Sequence, residues 1–134
     1  MNWKLILLLS IAGPLLAVLG IYANISFNSE QIITLVLFLV IAFVIGLLSK
    51  SKFFLNGMVA VLLAGFLMTV VRLKLLSLYF QYHPETMDQA ELIFHKISFI
   101  RSPLLIISIL LLTISILAGF VSLAIGSFAN RNRL

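Results

Sequence analysis

Residues 31–49 read QIITLVLFLVIAFVIGLLS, residues 50–52 read KSK, and residues 53–71 read FFLNGMVAVLLAGFLMTVV. Neither apolar run contains an Asp, Glu, Lys, Arg or His. Each comes close to the ~20 helical residues needed to cross a hydrocarbon core of ~30 Å. The Val, Ile and Phe content of the first run would suit a strand in a soluble protein, but unbroken length decides for a helix. A connection as short as 49–52 makes the two runs antiparallel neighbours. The same absence of charge extends over residues 5–27 and 102–130. The chain therefore reads as all-α, a polytopic membrane protein with four transmembrane helices at about 4–23, 31–48, 53–76 and 103–129.

Composition supports this. The 134 residues are 63% hydrophobic, with a mean hydropathy of +1.24, far more apolar surface than a soluble domain of this size needs. Four spans and their connections use nearly the whole length, so one membrane domain is expected and no soluble one. With no Cys, disulfides and thiolate metal sites are excluded. The net charge of +5 comes from Lys and Arg at span ends, where they anchor helices and set topology, so no nucleic-acid partner is expected. Lys4 followed by an apolar run invites comparison with a signal peptide. Residues 21–23 are a poor cleavage site and the run is long, so a retained first span is expected.

Several local signals refine the picture. Gly13-Pro14 interrupts span 1, and the missing N–H and ring clash of Pro14 predict a kink. Asn24-Ile25-Ser26 matches a glycosylation sequon, a match common by chance at a membrane surface. Ser29, Glu30 and Gln31 read as the start of span 2, with the acid favoured by the helix dipole. Beyond span 3, Tyr79, Phe80 and Tyr82 resemble an interfacial aromatic belt. Thr86 to Gln89 fits a capping box, and Asp88, Glu91, His95 and Ser98 form one stripe beside another of Met87, Ala90, Phe94 and Ile97. An interfacial amphipathic helix over about 84–101, between spans 3 and 4, follows. Ser102-Pro103 then opens span 4. From 104 to 129 that span would measure ~39 Å at ~1.5 Å per residue, so it tilts or emerges from the bilayer.

The termini fall on one side with Lys4, Lys50, Lys52, Arg131 and Arg133. The other side holds Arg72, Lys74, Lys96 and Arg101 together with all four acids. Counting Lys and Arg favours cytoplasmic termini, in a bacterial inner membrane.

Small residues form stripes. Span 1 carries Gly13, Ala17 and Gly20, and span 4 carries Ala118, Ser122 and Gly126. Spans 2 and 3 offer Ala42 with Gly46, and Gly57 with Ala60 and Ala64. Such stripes let helix backbones approach closely, either within the bundle or against a partner helix, and the span 4 stripe is the one expected to dock a partner. Arg72, Lys74, Lys96 and Arg101 are candidates to hold a lipid phosphate or other anion, Ser102 adding a helix start. Simple snorkelling, or ion pairs of Arg72 and Lys74 with Asp88 or Glu91, are the other readings. His83, Glu85, Asp88, Glu91 and His95 are a weak metal signal, so no metal is expected. No cofactor is expected either, since haem ligation would need His within a span. Ser10, Ser108 and Ser115 lack a titratable neighbour in their spans and are expected to bond back to the helix backbone.

The chain resembles a loosely defined family of small four-span bacterial membrane proteins of unknown function. The resemblance lies in Asn56-Gly57, in Tyr82-His-Pro84-Glu85 opening a charged insert, and in the small residues from Gly119 to Gly126 before Arg131-Asn-Arg133. It covers about the C-terminal 80 residues, and the insert here is shorter than the usual one. It implies the four-span fold and brings no catalytic residues. The chain is also similar to small multidrug transporters in size and span count, but lacks the acidic residue those carry in the first span. The expectation is a non-catalytic membrane subunit or accessory protein, not an enzyme, that packs against larger membrane partners, contacts membrane lipids and binds anionic lipid at the interface. The alternative is a small transporter or channel acting as a homo-oligomer.

Overall fold

A computed structural model describes residues 1–23, 25–75, 77, 78, 81, 84 and 103–132. Among these the chain is helical, with no strand, and four helices are long and apolar enough to cross a membrane. The expected amphipathic helix over 84–101 lies outside the described residues except for Pro84. So do Asn24, the Tyr79, Phe80 and Tyr82 belt, and the candidate metal ligands of 83–95.

The first span is built from α1 (Trp3–Ser10) and α2 (Ala12–Tyr22). The Asn2 side chain caps α1 by accepting from the Leu5 N–H at 3.4 Å. The interruption falls at Ile11, three residues before Pro14, where the proline ring presses on the preceding turn. Ser26 caps α3 (Phe27–Leu48), accepting from the Ser29 N–H. α3 thus begins a turn earlier than the charge-free run, and Glu30 sits inside the helix. Ser49 is extended and Lys52 adopts a left-handed conformation at φ 53°, which turns the chain directly into α4 (Phe53–Lys74). α5 (Pro103–Arg131) has 29 residues, about 44 Å at ~1.5 Å per residue.

α4 is the central helix, packing against α1, α2, α3 and α5, while α5 lies on α3 and α4. The interior mixes small residues with Ile6, Ile21, Phe38, Ile41, Ile45 and Met68, and large apolar side chains also cover the exterior. Ala42, Ala60 and Ala64 are fully buried, while Leu8 and Phe128 are 68% and 69% exposed. Small buried positions with a large apolar exterior suit a lipid solvent, where close backbone approach and dispersion hold helices together. Asn2 meets Asn56 and Gly126 meets the Phe53 ring. The chain start, the 49–52 turn and the end of α5 therefore share one end of the bundle.

Candidate functional site

At the opposite end, the structure joins two ionisable groups that the sequence reading had kept apart. Glu30 stands in the first turn of α3 and Arg72 in the last turn of α4. Each position suits the helix dipole. The Arg72 Nη2 lies 2.6 Å from Glu30 Oε1, and the two side chains are 26% and 2% exposed. Gly20 of α2 makes the room: a Cβ there would sit 2.6 Å from the same carboxylate oxygen. Thr34 donates its hydroxyl to the Glu30 carbonyl at 2.8 Å, closing the next turn over the site. Arg72 was expected to face headgroups or Asp88 and Glu91. It pairs with Glu30, because the 49–52 turn aligns α3 and α4 so that the two residues meet; Asp88 and Glu91 lie outside the described residues. Charge is therefore present inside the helices, one residue beyond each charge-free run.

Arg72 also lines a cavity of about 400 Å³ between α3, α4 and α5, with Gln31, Thr34 and Thr69 near it and apolar side chains beyond. Its Nε is buried and has no hydrogen-bond partner. Lys74 is exposed in the same last turn of α4. Lys96 and Arg101, the other candidate anion-binding cations, lie outside the described residues.

A second polar node ties the other end. Asn56 Nδ2 donates to Ser49 Oγ at 3.1 Å and to the Ser51 carbonyl at 3.0 Å. Its Oδ1 accepts from the Asn2 N–H at 3.4 Å. One buried amide thus fixes α1, the turn and the start of α4. Only its polarity within an apolar run could have marked it in the sequence.

The small residues proposed for packing or docking all face inward. Gly13 lies against the Ala64 carbonyl, and Ala17 is 1% exposed. Ala118 and Ser122 are buried, Ser122 donating to the Ala42 carbonyl at 2.7 Å, and a Cβ on Gly57 would collide with Ser122 Oγ. Gly126 accommodates Phe53. The span 4 stripe, expected to dock a partner, is occupied by α3 and α4, because each supplies its own small positions opposite it. Ser10 and Ser115 bond back to the carbonyls of Leu7 and Leu111. Among the described residues there is no group of three His, Cys, Asp or Glu arranged to hold a metal.

No protein-family model matches the chain, and no curated protein or solved structure does either. The functional reading therefore rests on the geometry just given.

Proposed function

We propose that this chain is a non-catalytic integral membrane subunit or accessory protein, which packs against larger membrane partners and holds phospholipid at the interface. The observation that carries the reading is the closure of the interior. The seven buried polar side chains among the described residues have partners within the chain: Ser10, Glu30, Thr34, Ser49, Asn56, Ser115 and Ser122. None of the seven is left to solvate an ion or to activate a substrate, as transport and catalysis require; the one buried donor without a partner among the described residues is the Nε of part-exposed Arg72. Among the described residues the one carboxylate inside the bundle, Glu30, lies against Gly20 and pairs with Arg72. What the chain offers its surroundings is its apolar outer face and its end cations.

In this reading the termini are cytoplasmic in a bacterial inner membrane, and residues 84–101 form an amphipathic helix lying in the opposite interface. Lys74, Lys96 and Arg101 face lipid headgroups there. Purification in mild detergent with mass spectrometry tests the reading. A stoichiometric larger partner is expected, and a chain recovered with no such partner overturns it. The second reading, a homo-oligomeric transporter, is favoured by one observation: Glu30 and Arg72 stand inside membrane-crossing helices beside a cavity. A stable homodimer that dissipates a solute gradient in vesicles would establish it.

A further inference from the structure

We propose that the cavity between α3, α4 and α5 is a phospholipid site, in which Arg72 donates to a phosphodiester oxygen and one acyl chain fills the apolar remainder. This deepens the lipid-holding half of the reading above, and rests on it, by assigning the contact to one cavity.

The argument starts from Arg72. Guanidinium carries five N–H donors and no acceptor. Glu30 accepts from Nη2, but the Nε–H is buried and has no partner in the chain. A buried donor without an acceptor is costly, so Glu30 leaves the guanidinium under-satisfied, and an acceptor from outside the chain can meet it at the 26% of the side chain that is exposed. The cavity that Arg72 lines is of the right kind to bring one. Its volume of about 400 Å³ lies within the ~300–1,000 Å³ of ligand pockets. Buried Thr34, Phe38 and Met68 form its floor, and exposed Ile107 and Leu110 form its rim on the lipid-facing side.

Polarity is graded along the cavity. Arg72 belongs to the last turn of α4, at the end of the bundle, whereas Phe38 and Met68 lie deeper along their helices. A molecule matching that gradient has an acceptor-rich head at the interface and an apolar chain directed inward. A free phosphate would leave the apolar walls unused, and a fatty chain alone would offer no acceptor to the exposed part of the guanidinium. Because Glu30 already offsets the charge of Arg72, recognition falls on the phosphodiester common to anionic and zwitterionic phospholipids rather than on net headgroup charge.

The test uses the full chain, delipidated in detergent and titrated with phosphatidylglycerol, phosphatidylethanolamine or diacylglycerol under native mass spectrometry. One phospholipid per chain is expected, the two phospholipids binding similarly and diacylglycerol about tenfold more weakly, ~1.4 kcal/mol. Arg72→Gln alone would remove the counter-charge of buried Glu30 and so disturb the fold, so two other variants are used. Leu110→Trp crowds the rim without touching the ion pair. Glu30→Gln with Arg72→Gln keeps the shape without charge. Both should lose phospholipid by about tenfold, ~1.4 kcal/mol. Equal binding of diacylglycerol, unchanged binding in Leu110→Trp, or a wild-type chain that takes up no lipid would each overturn the proposal. A dimer that Leu110→Trp breaks while lipid stays unchanged would also overturn it, by assigning the cavity to a second copy. Partner content, read in the native preparation before delipidation, separates the two claims. Lipid bound without a partner sinks the accessory reading and leaves the site standing. A partner with no lipid does the reverse.

Discussion

Replacing Arg72 by Gln should destabilise the bundle far more than replacing Glu30 by Gln, although the two residues form one ion pair. The asymmetry follows from burial. Without Arg72, the Glu30 carboxylate stays 2% exposed and walled by Gly20, and it loses the cation that offsets its charge. Breaking a buried pair in this way costs about 3 kcal/mol or more. Without Glu30, Arg72 retains a long stem, is 26% exposed, and can carry its charge to the nearby interface. That loss is ~1 kcal/mol, the order of one net hydrogen bond. The double Gln variant removes both charges and should cost only ~1 kcal/mol, since amides can still bond to each other. The cycle then gives a coupling of about 3 kcal/mol between the sites. The assay is reversible unfolding of the detergent-solubilised chain on titration with a denaturing detergent, followed by helicity. Additive single-variant losses, or a Glu30→Gln loss larger than that of Arg72→Gln, would refute the reasoning.

Other outcomes follow from the packing. Gly57→Leu should deplete the folded chain from the membrane, because Ser122 Oγ already occupies the space a side chain needs; normal levels would contradict that contact. Ser122→Ala should cost only ~0.6 kcal/mol, the average for a hydrogen bond between membrane helices, measured by the same unfolding titration. Asn56→Leu should cost about 1–3 kcal/mol and raise proteolysis at the chain start, since it unties Asn2, Ser49 and Ser51 together. Cysteines at Asn2, Ser51 and Asn132 should react with an impermeant reagent from one side of the membrane, and one at Asn28 from the other. Labelling of Ser51 and Asn28 from the same side would rule out the topology.

The helices were legible because membrane spans obey a simple rule: no uncompensated charge for ~20 residues. The interruption at Pro14 was legible for an equally local reason, although it appears at Ile11, where the ring acts rather than where it sits. The small-residue stripes were legible as faces but not as contacts. A stripe states that something comes close and not what does. The choice depends on every helix at once: Ser122 reaches Ala42 and Gly57 because α5 settles between α3 and α4, and no single span encodes that.

The Glu30–Arg72 pair was hidden by the same rule that revealed the spans. Scanning for charge-free runs places both residues just outside a span, as a dipole-favoured start and a snorkelling end, and each label is locally satisfactory. Yet their separation of 42 residues has its midpoint at Ser51, in the centre of the tight turn. An antiparallel hairpin brings residues equidistant from its turn to the same height, so the pairing was implicit in the hairpin itself. Thr34 and Met68 share that midpoint, and both line the cavity beside Arg72. What the hairpin rule cannot supply is the inward rotation of Glu30. That depends on α2 presenting a glycine at its height, since any side chain at Gly20 would occupy the place of the carboxylate. Gly20 is thus the residue on which burial of the pair turns: a bulkier residue there should push Glu30 outward, without altering any charge.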